Sequence, residues 1–220
     1  LCYPPPMTRK QLLGRAIKAA ERYVKKQLGR EGSHDWYHIQ RVRRTAQKIA
    51  RQEKADIALV ELMAILHEAT DWKLIGNQTE AQATKKLAVW LKQQKLATTD
   101  IKHTLYVIKN QSFSVSGIRG IRLTSIEGKI LQDADRLDAI GAIGIARCFA
   151  YGGKTGRPLY DSNKQPGRYG TSASINHFYE KLLKIKDLMN TKTGKKIARR
   201  RHQFMQKYLD QFFAEINGKK

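Results

Sequence analysis

The sequence predicts an all-α fold, and three observations support this class. Apolar residues recur at intervals of three and four along most of the 220 residues, which is the spacing of one face of an α-helix. Valine, isoleucine, threonine and aromatic residues do not alternate with polar ones over any long stretch, as they would in half-buried strands. Residues that favour helix N-termini precede several of the periodic segments. We therefore expect helices that pack around one core.

The chain begins with a proline-rich stretch that is not expected to fold. Residues 1–7 include three consecutive prolines and are interpreted as a leader or a remnant of cloning. The first helix is predicted from a Thr8 cap to about Leu28, and the second from about Asp35 to Glu53. The predicted inward residues are Leu12, Ala16, Ala19, Tyr23 and Leu28 in the first helix, and Val42, Thr45, Ala46 and Ile49 in the second. His38 lies four residues before Val42 and is therefore expected to point inward.

The third predicted helix, from about Asp56 to Thr70, ends in an imidazole and two carboxylates. The apolar residues of this helix form a stripe along one face, and His67 lies at the edge of that stripe. Glu68 follows directly, and Asp71 lies one turn further on. Unpartnered charge is expensive to bury. Each inward histidine taken alone is more typical of a hydrogen-bonded core residue than of a metal ligand, so a functional interpretation depends on its neighbours.

Two further helices are predicted before the centre of the chain. One begins at Thr79, and the other runs from Asp100 to Asn110 and carries His103, which is interpreted as a surface residue. A loop is expected over residues 112–124.

The next predicted helix, residues 125–142, is apolar on nearly every side, as expected of a central buried helix. It also contains Asp133, Asp135 and Asp138. Buried carboxylates need a basic partner or a cation, and Arg136 can neutralise only one of them. This excess of negative charge predicts a bound cation.

The C-terminal third combines a loop with two further helices. We divide the fold into a helical core (8–150), a basic loop rich in glycine and proline (151–174) and C-terminal helices (175–216). The loop is interpreted either as a lid over an anionic substrate or as a disordered segment. Ser174 is expected to cap a helix from Ile175 to Asn190. The last helix is expected from Thr193 to Ile216, with an apolar face formed by Ile197, Phe204, Tyr208, Leu209 and Phe212.

Composition restricts the location and the partners. Charged residues make up 28% of the chain and hydrophobic residues 41%, and no apolar run reaches membrane-spanning length. No signal peptide opens the chain, and Cys2 and Cys148 are too few for a disulfide framework. These features predict a cytoplasmic protein without a membrane partner; whether it is a monomer or a homodimer stays open.

The charge balance favours anionic partners. Forty-two Lys and Arg against nineteen Asp and Glu give a formal charge of +23, which attracts polyanions. The excess is spread over the whole chain. It therefore favours a phosphate-bearing partner, either a nucleotide or another phosphorylated small molecule, or nucleic acid, without choosing among them.

His38, His67, Glu68 and either Asp133 or Asp135 form a hard-ligand set from three helices of one core. Such a set suits Mn, Mg, Co, Ni, Fe or Zn. A divalent ion would offset the buried negative charge and activate water for attack on phosphorus.

The segments that carry these residues resemble the HD-domain metal-dependent phosphohydrolases. The family pattern is a histidine, then a His-Asp doublet, then a distant aspartate on a long buried helix. One bacterial branch opens with His-Asp-Trp-x-His-x-x-Arg-Val, similar to residues 34–42 here, and its later segments are similar to residues 132–144, 175–182 and 186–189. The resemblance covers about residues 8–215.

The resemblance implies an HD-domain helical bundle with additional C-terminal helices. It also implies a phosphohydrolase that converts a nucleoside triphosphate, (d)NTP, to (d)NMP and pyrophosphate, with Mn as the leading metal. The implied metal ligands are His38, His67, Glu68 and Asp135, with Asp133 as the rival for the last place. Asp71 corresponds to the acidic residue that orients or deprotonates the attacking water. Glu68 is also implied to be a catalytic residue. Arg41, Lys73 and His34 are the implied phosphate-binding residues.

One departure is the doublet itself, which is His67-Glu68 and not His-Asp. The additional methylene displaces the carboxylate by about a bond length, whereas ligand distances in metal sites vary by only about 0.2 Å. Two alternatives therefore stay open: a catalytically weakened HD-fold protein that binds nucleotides or nucleic acid, and a nucleotide phosphodiesterase or 5′-nucleotidase.

Overall fold

The computed structural model describes residues 5–28, 36–71, 75–111, 122–163 and 173–219. Regular structure in these ranges is entirely helical, without a strand, which confirms the all-α prediction. In order, the elements are α1 (Arg9–Gln27), α2 (Trp36–Glu53), α3 (Ile57–Leu66), α4 (Glu80–Gln93), α5 (Thr98–Asn110), α6 (Ile126–Asp138), α7 (Gly141–Lys154), α8 (Asn176–Glu180), a 3-10 helix (Leu182–Leu188) and α9 (Lys192–Ile216).

The chain divides into two compact units, Leu1–Gln132 and Asp133–Lys220, and the boundary falls inside α6. Within the described ranges, no helix is both long enough and apolar enough to cross a membrane.

Helix α3 is the centre of the first unit. It packs against α1, α2 and α5, and all its residues from Leu62 to Leu66 are buried. The Asp56 carboxylate accepts a hydrogen bond from the Leu59 N–H at 3.0 Å and so caps the start of the helix. A helix that is apolar on all sides needs neighbours on all sides, and its C-terminal end therefore lies inside the unit.

The predicted inner face of α1 is wrong by about one position. The buried residues are Leu13, Ala16, Ile17, Ala20 and Val24, and only Ala16 was expected among them. Leu12, Ala19 and Tyr23 flank this stripe and are half-buried. Two adjacent apolar rows both have helical spacing, and the packing against α3 decides which one is buried. The Thr8 cap is confirmed, with Gln11 completing a capping box.

Two predicted helices end earlier than expected. Helix α3 ends at Leu66 and not near Thr70, because the Ala64 carbonyl accepts the His67 side chain and tighter i to i+3 bonds follow. Helix α6 ends at Asp138, and Gly141, with φ of +79°, starts α7 in a new direction. The apolar spacing continues through this break, so periodicity could not reveal it.

Further corrections concern the side chains and the C-terminal third. His103 is half-buried, and its Nε2 lies 2.8 Å from Ser125 Oγ. The predicted helix from Ile175 to Asn190 is the short α8 followed by the 3-10 helix. Phe204, expected on the apolar face of α9, is 50% exposed. Part of the 151–174 loop, residues 164–172, lies outside the described residues, and its role as a lid stays a prediction.

The second unit is built around α9, which packs against α7 and the 3-10 helix. Aromatic rings join α7 and α9, since Phe149 lies 6.2 Å from both Tyr208 and Phe212 between ring centroids. Phe178 of α8 stacks on Tyr208 at 6.0 Å. This aromatic cluster supplies the apolar area that stabilises the unit.

Two glycines in helices are expected to respond to alanine in opposite directions. At Gly144, a Cβ would lie 2.2 Å from the Ala139 carbonyl oxygen, so Gly144→Ala should destabilise the protein by about 1–3 kcal/mol. At Gly14, no atom lies within 4 Å of a Cβ, so Gly14→Ala should stabilise it by about 0.5–1 kcal/mol. Urea denaturation of both variants measures this difference, and equal effects would contradict it.

Candidate metal centre

Two buried histidines face each other in the first unit. His38 lies in the first turn of α2, and His67 directly follows α3; they are 3% and 4% exposed. Their Nε2 atoms are 3.3 Å apart, and the rings meet edge-on with centroids separated by 5.3 Å. The expected inward orientation of both residues is therefore confirmed. Two ring nitrogens this close share either one proton or one positively charged ligand.

The backbone of α3 sets the orientation of the His67 ring. His67 Nδ1 lies 2.7 Å from the Ala64 carbonyl oxygen. Because a carbonyl only accepts hydrogen bonds, Nδ1 is the donor, and in the neutral ring Nε2 then carries a lone pair. That lone pair points toward His38. A backbone carbonyl on the far nitrogen is the usual support of a metal-binding histidine.

Glu68 brings a carboxylate to the same place. It is 6% exposed, and its Oε1 lies 3.5 Å from His38 Nε2. The glutamate, with its additional methylene, therefore reaches the His38 imidazole from the turn that follows α3. The negative charge favours a cation between these groups, whether that cation is a proton or a metal ion.

Asp135 lies on α6, two residues after the first residue of the second unit, and is half-buried. His38, His67 and Asp135 are residues of types that could hold a metal ion, each with one ligand atom. Glu68 does not belong to this group of three. Two imidazole nitrogens and a carboxylate oxygen form a donor set that fits a divalent transition metal.

Asp133, the rival ligand, is engaged elsewhere. It is fully buried, and one oxygen accepts hydrogen bonds from the Asn190 N–H and side-chain amide at 2.8 and 2.9 Å. The other oxygen accepts from the Thr191 N–H and hydroxyl at 2.8 and 2.7 Å. Four donors satisfy this carboxylate at the N-terminus of α9, where a negative charge is favourable. This arrangement favours Asp135 over Asp133 as the ligand.

Asp138 also has a protein partner, because Arg147 of α7 forms an ion pair with it. The predicted need for a cation on α6 therefore does not apply to Asp133 or to Asp138.

The remaining predicted site residues are partly described. Asp71 closes the turn after α3, with its N–H donating to the Glu68 carbonyl at 2.9 Å. Arg41 lies one turn after His38 on α2, and both Arg41 and Asp71 are half-buried. His34 and Lys73 lie outside the described residues. The catalytic and phosphate-binding roles of all four stay predictions.

Sequence reasoning missed the groups that support the site. The Ala64 carbonyl carries no side-chain signal and could not have been identified. Thr191 precedes the last helix and bonds the Gly194 N–H through its hydroxyl at 2.9 Å. A threonine just before a helix is a typical cap, so this role of Thr191 could have been predicted from the sequence. Its hydrogen bond to Asp133 could not.

Comparison with known proteins agrees with this architecture. No family model matches the chain. The YpgQ protein of Bacillus subtilis strain 168 is 37% identical over 185 residues, which cover 84% of this chain and 85% of that protein.

Two solved structures are similar over nearly the whole chain. A crystal structure of an HD-superfamily hydrolase from Bacillus thuringiensis is 40% identical, covers 96% of this chain and 99% of its own, and has a TM-score of 0.77. The crystal structure of Bacillus subtilis YpgQ in complex with ADP is 33% identical, covers 93% and 96%, and has a TM-score of 0.75. With an all-α fold and a His/His/Asp group able to bind a metal, the chain belongs to the HD superfamily of hydrolases.

Proposed function

We propose that this chain is a metal-dependent nucleotide phosphohydrolase that converts (d)NTP to (d)NMP and pyrophosphate. The observation that carries the proposal is the pair of buried imidazoles with Nε2 atoms 3.3 Å apart beside the Glu68 carboxylate. The complex of YpgQ with ADP supports a nucleotide as the ligand class. The net charge of +23 agrees with an anionic substrate.

The proposed ligands of a divalent ion are His38, His67 and Asp135, with Glu68 as a fourth ligand or a neighbouring counter-charge. When bound, such an ion polarises a phosphoryl oxygen and lets water attack near neutral pH. Mn is the leading candidate, because imidazole and carboxylate donors together suit first-row metals. Elemental analysis of the purified protein would identify the ion.

The remaining roles belong to side chains near these ligands. Asp71 would orient the attacking water and accept its proton. Arg41, Lys73 and His34 would hold phosphate oxygens, with the arginine able to contact two of them at once. A cytoplasmic location agrees with these substrates and stays a prediction.

A nucleotide panel tests the reaction. The full chain, supplied with Mn, is incubated with ribo- and deoxynucleoside triphosphates, diphosphates, monophosphates and cyclic nucleotides. We expect monophosphate and pyrophosphate in equal amounts from triphosphates. Inorganic phosphate from monophosphates, or cleavage of cyclic nucleotides only, would instead indicate a 5′-nucleotidase or a phosphodiesterase and refute the proposed reaction.

Glu68→Gln is expected to weaken metal loading and activity by about 10- to 100-fold, because the amide preserves size but removes the charge beside His38. Titration with Mn, followed by pyrophosphate release, measures the affinity. Glu61→Gln is the matched control, since Glu61 of α3 pairs with Arg43. Unchanged metal affinity in Glu68→Gln would exclude a role for Glu68 at the metal.

A further inference from the structure

The exposed side of α9 has an unusual charge distribution. From Lys192 to Lys207 this helix contains seven lysines and arginines and no acidic residue. Six of the seven are exposed: Lys192, Lys195, Lys196, Arg199, Arg200 and Lys207. The described residues form no ion pair with any of these six. Their charge is therefore available to an outside partner.

Most of these cations lie in one row along the helix. Successive members of the row Lys192, Lys196, Arg199 or Arg200, and Lys207 are three, four, seven or eight residues apart, which brings them to one face. With a rise of 1.5 Å per residue, the row is about 22 Å long. A row of this length matches an extended chain of negative charges better than a single phosphate group.

The same face borders an open groove of about 830 Å³ in the second unit. Arg200 and Lys207 line this groove together with two aromatic residues, Tyr179 and Phe204. Phe204 is 50% exposed. Aromatic rings beside exposed cations are what single-stranded nucleic acid uses, since bases stack on the rings while phosphates contact the cations.

Aromatic residues are not interleaved with the basic clusters of the sequence, so spacing alone does not indicate base stacking. The structure changes that interpretation in two ways. It exposes Phe204, which was expected in the core, and it brings Tyr179 from another segment to the groove.

We propose that the α9 face binds single-stranded nucleic acid, with phosphates along the lysine and arginine row and a base in the groove against Phe204 and Tyr179. An acidic peptide without aromatic side chains would use the same cations but would have no flat ring to place in the groove. This binding surface is independent of the proposed nucleotide hydrolysis.

One carboxylate also lines the groove. Asp210 lies at its border, close enough that it contributes, after burial, to a raised pKa of Tyr179. A negative charge at this position repels phosphate. Removing it should therefore strengthen binding of the oligonucleotide, whereas removing the cations should weaken it.

Fluorescence anisotropy with labelled 20-nucleotide oligodeoxythymidylate and oligouridylate tests the proposal on the full chain. Measurements with and without EDTA separate this binding from metal-dependent turnover. Four or five phosphate contacts predict a slope of about −3 for log affinity against log salt concentration. Binding that disappears in EDTA would place the oligonucleotide at the metal centre and overturn the proposal.

Two charge-reversal variants form a matched pair. Arg200→Glu with Lys207→Glu should weaken binding at least tenfold and reduce the salt slope. Lys18→Glu with Lys85→Glu changes the net charge equally at two exposed positions of the first unit and should have a much smaller effect. Equal weakening in both would show attraction by net charge only and would refute a defined surface.

Two single substitutions test the groove itself. Phe204→Ala should weaken binding about 5- to 150-fold at an unchanged salt slope, as expected for lost base stacking. Asp210→Asn should strengthen binding. Circular dichroism and thermal unfolding check that each variant is folded.

Two competitors test the class of partner. Polyglutamate of the same charge, or anionic phospholipid vesicles, should displace the oligonucleotide poorly. Displacement by either at equal charge, or full binding by Phe204→Ala, would overturn the assignment to nucleic acid.

Discussion

Replacement of His67 by alanine is expected to remove the bound metal and to lower pyrophosphate release by more than about 100-fold. The variant loses one of two imidazoles whose Nε2 atoms meet at 3.3 Å. A catalytic metal supplies several kcal/mol of transition-state stabilisation, and each 1.36 kcal/mol corresponds to a factor of ten in rate. Elemental analysis and a nucleotide assay with added Mn measure both effects.

His103→Ala is the matched control, because His103 is a half-buried histidine that bonds Ser125 in the same unit. It should keep its metal and its activity. The Tm of both variants shows whether His67→Ala still folds. If His67→Ala is folded and as active as the wild type, the proposed hydrolase mechanism is wrong.

Replacement of Asp133 by asparagine is expected to cost about 2–4 kcal/mol of unfolding free energy. The fully buried carboxylate accepts four hydrogen bonds from Asn190 and Thr191. An asparagine amide group turns a donor toward donors, and hydrogen bonds to a charged group are worth more than neutral ones. The charge at the N-terminus of α9 is lost as well.

Asp135→Asn is the corresponding variant two residues further along α6. We expect its free energy of unfolding to lie within about 1 kcal/mol of the wild type, because Asp135 is half-buried whereas Asp133 is fully buried. We also expect this variant to lose metal and activity. Urea denaturation and metal analysis of both variants separate the two roles. If folded Asp133→Asn loses the metal while Asp135→Asn retains it, Asp133 and not Asp135 is the metal ligand.

The helices themselves were largely predictable. Thr8, which was expected to cap a helix, and Asp56 and Thr79, which were expected at helix starts, each cap a helix through their side chains. Capping depends on residues within one turn. The ends of α3 and α6 were not predictable in the same way. A side chain bond to Ala64 and the conformation of Gly141 end these helices, and neither interrupts the apolar spacing.

The types of residue at the candidate site were predictable from the sequence. Which of the aspartates belong to it was not. His38 and His67 follow helical stripes, and such a stripe shows which side of a helix is buried. The three aspartates of α6 share one short segment, and their different partners depend on what packs against each side of that helix.

The sequence by itself therefore determined the all-α class and the inward orientation of the two histidines. These depend on periodicity and side-chain chemistry, which are local. The tertiary structure decided that Asp133 bonds the start of α9, that Arg147 pairs with Asp138 and that Phe204 is exposed. These depend on contacts between segments distant in sequence, and an apolar or acidic pattern along one helix does not specify the neighbour it meets.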